Sequence, residues 1–177
     1  MQLSPPQSQR ELDAESLRSG DRCAGKGAWD AVVVLAFGTG ISNAFLARKA
    51  AKYSATLHCP MICQKEVLGY LNADDRSTKA LALRGTEGIY LDTYRALVEM
   101  KAICEQRGWS KILLVVHPDH QSRATKVAHK LGLDVEVADI EKVPYDRSSS
   151  QWWTRNRLLF KVWDLGAGVY YFIRGFV

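Results

Sequence analysis

Two histidines and an arginine lie close together in the stretch "VVHPDHQSRA", residues 115–124. His120 and Arg123 are three residues apart at the start of a predicted helix, so their side chains share one face of that helix. A guanidinium can bind a phosphate or carboxylate through two parallel hydrogen bonds, and an imidazole can transfer a proton near neutral pH. The pair therefore predicts a site for a small anionic ligand, with His120 as a catalytic acid or base. The alternative is an ordinary polar turn, in which Arg123 forms an exposed ion pair with Asp119.

His117 ends the strand that precedes this helix, and it is a further ligand-binding candidate, although a structural role is the stronger interpretation. The spacing of His117 and His120, with Asp119 between them, is weak evidence for a metal. The four cysteines contain no CxxC pair, so they do not form a recognisable zinc set. We expect no metal site, and we expect reduced thiols in the core.

A glycine loop follows the first predicted strand in "FGTG", residues 37–40. It matches only part of a dinucleotide fingerprint, because GxGxxG would require glycine at Asn43. Backbone N–H groups of Gly38, Thr39 and Gly40 can cradle an anion together with the N-terminus of the next helix, and Asn43 can add a side-chain contact. The alternative is a strand-to-helix turn that the glycines simply allow.

Two further polar residues follow predicted strands or open helices. Glu66 comes just after the second strand, where a carboxylate can hold a ribose hydroxyl or act as a catalytic base. The alternative for Glu66 is a first-turn acid that the helix dipole favours. Thr93 lies near the start of the longest predicted helix, and only its place beside the other segments makes it a candidate ligand-binding residue.

The hydrophobic pattern explains why these segments would meet. Apolar runs predict three buried strands and an alternating run predicts a strand nearer a sheet edge, at residues 31–37, 60–64, 111–117 and 134–139. Helical patterns lie between them, the longest at about 89–107, and residues 72–88 read as a polar loop. This alternation predicts an α/β fold: a single domain with a three-layer α/β/α, Rossmann-like open parallel sheet. The carboxyl ends of parallel strands share one edge, where ligands of such sheets bind.

Composition and charge narrow the class of protein. The chain has 177 residues, 47% hydrophobic and 24% charged, as a globular domain does. Residues 1–28 are predicted to be a disordered polar leader without the apolar core of a signal peptide, and residues 29–177 the folded domain, which favours a cytoplasmic location. Nothing in the sequence is long and apolar enough for a transmembrane segment.

The end of the chain is basic and aromatic. Residues 147–177 carry five basic residues and one acid, which is +4 of the net charge of +5. No RNA or DNA motif accompanies this charge, so nucleic acid is not an expected partner. The terminal "GVYYFIRGFV" is expected to pack on the domain or on the second copy in a homodimer, rather than on a membrane.

Taken together, these segments resemble the YdcF-like domain-of-unknown-function family (domain of unknown function 218), which includes SanA- and ElyC-like proteins. The resemblance extends from about Asp30 to the C-terminus. It rests on the first strand with its glycine loop and on "CQKEV", "GIYLDTYRAL" and "VVHPDHQSRA". The later segment "VPYDRSSSQWWTR" looks like a signature of one soluble branch.

The resemblance implies a Rossmann-like domain that binds a nucleotide-like or phosphorylated molecule, with S-adenosylmethionine or another adenine nucleotide as the candidate cofactor. It carries over Glu66, Thr93, His120 and Arg123 as pocket residues. It also assigns ligand-binding roles to four residues of the late segment: Asp146, Gln151, Trp153 and Arg155. In that segment, Trp153 can form an apolar wall and Arg155 a second anion clamp; alternatively, the tryptophans dock the last helix onto the sheet.

The expected function is an enzyme acting on such a molecule. The alternative is a non-catalytic ligand-binding or sensor domain linked to cell-envelope upkeep, since no nucleophile–base pair is visible in the sequence.

Overall fold

The computed structural model describes residues 29–73, 80–82 and 92–176. The predicted polar leader, residues 1–28, lies outside the described residues.

In the described part of the chain, five parallel strands form one sheet in the order β3-β2-β1-β4-β5. Their bounds are β1 (Ala31–Val34), β2 (Met61–Cys63), β3 (Ala80–Ala82), β4 (Lys111–Val115) and β5 (Asp134–Val137). Every residue of β1 and β2 is buried, as expected for strands covered on both faces. β5 lies at an edge of the sheet, where its alternating pattern predicted it. The predicted α/β fold with a parallel sheet is confirmed.

Five α-helices complete the described part of the chain: α1 (Ile41–Leu57), α2 (Lys65–Leu68), α3 (Thr93–Arg107), α4 (Gln121–Lys130) and α5 (Arg157–Ile173). The Asp92 carboxylate caps α3 by accepting a hydrogen bond from the Arg95 amide at 2.9 Å. Gly108 ends α3 in the left-handed conformation, as the sequence predicted. Single 3₁₀ turns lie at Pro118–His120 and Trp152–Thr154.

Two hydrophobic cores, one on each face of the sheet, give the three layers. One core joins the sheet to α3 and α4, and the other joins it to α1 and α2. α5 contributes to both, through Tyr171 in the first core and Phe160 in the second. α5 therefore crosses from one face of the sheet to the other.

The structure corrects the interpretation of residues 72–88 as a loop. Ala80–Ala82 forms strand β3, which pairs in parallel with β2 and places Leu81 opposite Ile62. This strand has three residues and no β-branched side chain, so its pattern gave no strand signal.

The cysteines only partly match the expectation of reduced thiols. Cys63 and Cys104 are free and buried, and burial raises the pKa of the Cys63 thiol to about 11. Cys59 is disulfide-bonded, so the expectation was wrong for this residue.

No helix among the described residues has both the length and the apolar character needed to cross a membrane.

The loop from β1 to α1 packs tightly against the segment that precedes α5. Gly38 and Gly40 have φ values of 66° and 75°, a region that L side chains rarely adopt. A Cβ atom at Gly40 would collide with the Asp146 carboxylate, and one at Gly38 would collide with the Thr154 side chain. Both glycines are therefore needed for the close approach of these two segments.

We expect Gly40→Ala to lower the free energy of unfolding by about 2–4 kcal/mol, because a residue other than glycine is strained at φ 75° and ψ −130° and its Cβ atom would collide with Asp146. Gly132→Ala is the matched control, because Gly132 has a φ of 76° and a Cβ atom added there would meet no other atom within 4 Å. That substitution should cost only the strain, about 1–2 kcal/mol. Urea denaturation measures both values, and equal losses would contradict the proposed packing.

Candidate functional site

A cavity of about 530 Å³ lies at the carboxyl edge of the sheet. Its lining includes residues 35–38 after β1, Gln64 after β2, and residues of α3 and α4. Residues 151–154 and one face of α5 close it from the other side. The chain order of the sheet reverses between β1 and β4, and open α/β sheets bind ligands at this position. The volume also falls within the range of about 300–1,000 Å³ that small-molecule sites occupy.

His120, Arg123 and Thr93 meet in this cavity. Arg123 Nη2 lies 3.1 Å from His120 Nδ1, and Thr93 Oγ1 lies 3.1 Å from His120 Nε2. Because a guanidinium can only donate, Nδ1 must accept, and a neutral imidazole then carries its proton on Nε2 and donates it to Thr93. Burial holds the pKa of His120 well below its usual value, and the charge of Arg123 lowers it further. His120 is therefore a neutral ring with both nitrogens engaged.

Arg123 has an acidic partner on the last helix. Its Nε lies 3.0 Å from Oδ1 of Asp164, and the two side chains are only 12% and 30% exposed. Its guanidinium also lies 5.5 Å from the centre of the Tyr171 ring. Burial raises the pKa of Asp164, while the charge of Arg123 opposes that rise. The positive charge predicted to clamp an anion is thus balanced from within the chain.

The glycine loop is already occupied by side chains of the protein itself. The Thr39 amide donates to Ser149 Oγ at 3.2 Å, and the Ile41 amide donates to Asp146 Oδ2 at 3.1 Å. Hydrogen bonds from Ser148 and from the Ile41 amide lower the pKa of Asp146 and keep it ionised. Asp146 therefore takes the place at the N-terminus of α1 where a ligand anion was expected.

Asn43 stabilises this loop from inside. Its side chain is buried, accepts a hydrogen bond from the Phe37 amide at 2.8 Å and donates one to the Gly38 carbonyl at 2.9 Å. Of the four loop residues proposed to bind ligand, only Gly38 lines the cavity. Thr39, Gly40 and Asn43 shape the turn instead.

The structure does not bring Glu66 to the cavity. Glu66 is exposed in the first turn of α2, and the cavity is lined instead by Gln64, two residues earlier. Gln64 Oε1 accepts a hydrogen bond from the Ala36 amide at 2.7 Å. The signal that points to Gln64 is its position directly after the last residue of β2, at the edge of the sheet.

Some residues of the segment before α5 line the cavity, and others contact the chain that packs on the glycine loop. Gln151 lines the cavity, and its Oε1 is buried without a hydrogen-bond partner among the described residues. Trp153 also lines the cavity and stacks on Trp163 with ring centres 4.6 Å apart. Arg155 is exposed, lies outside the lining and donates to the Ser149 carbonyl at 2.9 Å. The segment before α5 therefore both packs against that helix and lines the cavity. Arg155 does not act as a second cationic group for a ligand in the cavity.

His117 lies under the cavity rather than in its lining. It is buried and stacked on Phe37 with ring centres 3.8 Å apart, and its Nδ1 accepts a hydrogen bond from the Asp119 amide. Burial lowers the pKa of His117 to about 4. The described residues contain no group of three or more potential metal ligands.

Sequence reasoning missed the inner face of α5, which supplies much of the lining. The lining residues of this helix are Phe160, Val162, Trp163, Gly166, Ala167, Tyr170 and Tyr171. The sequence did contain a signal for this helix, because Asp164 is the single acid in residues 147–177. One carboxylate in a basic and aromatic tail indicates a specific partner, which the structure identifies as Arg123.

Comparison of the chain with protein-family models gives no match, and comparison with curated proteins gives none either. The resemblance to the YdcF-like family stays a prediction.

The two buried histidines predict a loss of stability in mild acid. Because their pKa values are lower in the folded protein than in the unfolded chain, the unfolded chain binds more protons below about pH 6.5. Stability should be constant above that pH and fall below it, by about 1.4 kcal/mol per pH unit for each histidine. Urea denaturation between about pH 7.5 and pH 5 measures this slope.

His120→Asn should remove the contribution of one histidine to that slope, whatever its effect on absolute stability. His129→Asn is the control, since His129 is exposed on α4. A slope that the His120 substitution leaves unchanged would show that His120 titrates normally and is not held neutral.

Proposed function

We propose that this protein binds a nucleoside-like molecule, a planar heteroaromatic ring with a polar edge, in the cavity beneath α5. The observation that carries the proposal is the combination of an aromatic lining with a small set of polar groups whose charges balance. Pockets of this kind bind ligands by apolar contact and orient them through a few hydrogen bonds.

The aromatic lining supports the ring part of the ligand. Seven aromatic side chains among the described residues line the cavity: Phe37, Trp152, Trp153, Phe160, Trp163, Tyr170 and Tyr171. Stacking of a nucleobase on such a ring contributes about 1–3 kcal/mol and accepts any base with a flat face.

Gln151 can bind the polar edge of the proposed ligand. Its Oε1 is buried at the cavity without a partner among the described residues, which costs about 1–3 kcal/mol until a donor arrives. An amide also matches the paired donor and acceptor of an adenine edge. A ligand N–H group at this position would satisfy Gln151 and gain orientation.

The charges favour a nucleoside over a phosphorylated ligand. Arg123 is paired with Asp164, the lining also includes Asp92, and Asp146 occupies the N-terminus of α1. Within the described ranges, a phosphate in the cavity would therefore meet no uncompensated positive charge. S-adenosylmethionine contains the adenosine group without a phosphate and belongs to the proposed ligand class.

The hydrogen bonds of His120 favour binding over turnover. Its Nδ1 lone pair accepts from Arg123 and its Nε2–H donates to Thr93, so neither nitrogen is free to take a proton from a ligand. The protein then acts as a ligand-binding domain, and the enzyme first expected is the second candidate.

Adenosine should raise the apparent stability of the protein in a thermal-shift titration, by about 2.7 kcal/mol at a hundredfold excess over its dissociation constant. S-adenosylmethionine should do the same, whereas AMP and ATP should bind more weakly than adenosine. Tighter binding of ATP would contradict the assignment of a neutral site.

Gln151→Leu should weaken adenosine binding by about fivefold, since one hydrogen bond contributes about 1 kcal/mol. The unliganded variant should be as stable as the wild type or more so, because the substitution removes a buried acceptor that lacks a partner. Gln121→Leu, at an exposed glutamine, is the matched control and should leave affinity unchanged.

Chromatography after prolonged incubation separates the two candidate functions. Unaltered adenosine and S-adenosylmethionine would support the binding domain. A new product that is absent with Thr93→Val would support the enzyme.

A further inference from the structure

The side of α5 that faces away from the cavity is an exposed apolar surface. Five of its residues are between 55% and 76% exposed, and we call them the outer stripe: Leu158, Leu165, Val169, Phe172 and Ile173. On an ideal helix of 3.6 residues per turn they lie within an arc of about 100°. This arc is wider than the narrow seam of a two-helix coiled coil, and it is a large apolar surface for one helix.

Basic residues border the outer stripe at both ends. Lys161 lies near the start of α5 and Arg174 at its end, both exposed, whereas the charge of Arg157 is already paired with Asp119. The single acid of the helix, Asp164, points inward to Arg123. The surface is thus apolar along its length and positively charged at its ends.

Half-exposed aromatic side chains lie beside the stripe. Trp152, Trp163 and Tyr170 are 40% to 50% exposed. Tryptophan and tyrosine are enriched at the headgroup level of bilayers, since their rings are apolar and carry one polar atom.

A second copy of the chain is a poorer fit for this surface. Pairing α5 with itself in either direction would bring Lys161 against Lys161 or against the Arg174 end, and the one acid of this helix, Asp164, is already engaged by Arg123. An anionic lipid surface offers the opposite charge at every one of these positions.

We propose that α5 docks lengthwise on an anionic lipid bilayer, with the outer stripe in the interfacial region and the basic ends on lipid phosphates. The opposite face stays bound to the domain through Phe160, Tyr171 and the Arg123–Asp164 ion pair. The helix therefore lies on the membrane while the sheet remains in water. The proposal is independent of the ligand in the cavity.

Co-sedimentation with vesicles tests the docking. The full chain is mixed with vesicles of equal parts phosphatidylcholine and phosphatidylglycerol, or of phosphatidylcholine alone. We expect binding to the anionic vesicles at least tenfold tighter than to the neutral ones, and weaker binding as salt screens the basic residues. A blue shift of tryptophan fluorescence should accompany binding.

Two double variants separate the apolar and ionic contributions. Leu165→Glu with Phe172→Glu should lower vesicle affinity at least tenfold, and neither residue lines the cavity, so adenosine binding should be unaffected. Lys161→Glu with Arg174→Glu should remove the preference for anionic lipid. Val98→Glu and Lys52→Glu, at exposed positions on other helices, are the controls and should bind as the wild type does.

Three results would overturn the proposal. The first is wild-type protein that stays in the supernatant with anionic vesicles. The second is vesicle binding that the stripe variant retains in full. The third is a dimer, detected by light scattering, that the stripe variant abolishes while vesicles bind neither protein, which would assign the stripe to a second copy.

Discussion

The position of α5 over the carboxyl edge of the sheet depends on the ion pair between Arg123 and Asp164. Both groups are largely removed from water, and removing one partner of such a pair leaves an uncompensated charge at a cost of several kcal/mol. A second attachment lies at the start of the helix, where Asp119 pairs with Arg157 at 3.1 Å and accepts a hydrogen bond from the Tyr145 hydroxyl. Together with the buried rings of Phe160 and Tyr171, these attachments hold α5 over the cavity.

At the glycine loop, as at Arg123, a carboxylate of the protein takes the place of a ligand anion. A helix N-terminus at the carboxyl edge of a parallel sheet attracts an anion, and here the anion is the Asp146 carboxylate. The close approach requires glycine at position 40, since any Cβ atom there would overlap Asp146. Two positive features expected to attract a charged ligand, Arg123 and the N-terminus of α1, are consequently satisfied by carboxylates of the chain. What remains open to a ligand is the aromatic surface between them.

The sequence predicted those parts of the structure that depend on local pattern. Apolar runs located β1, β2 and β4, alternation located β5 at an edge, and parallel topology then placed Thr93, His120 and Arg123 together. It could not predict contacts between segments distant along the chain, so the partner of Arg123 and the occupant of the glycine loop were missed. Glu66 shows the same limit on a smaller scale: its charge attracted the prediction, but only a residue at the strand end, Gln64, faces the cavity.

Several residues that line the cavity are also exposed to solvent. The mouth of the cavity is formed by lining residues that are also substantially exposed: Val162, Trp152, Trp163 and Tyr170. The mouth therefore opens beside the outer stripe. If the stripe docks on a bilayer, the mouth of the cavity lies at the level of the lipid headgroups.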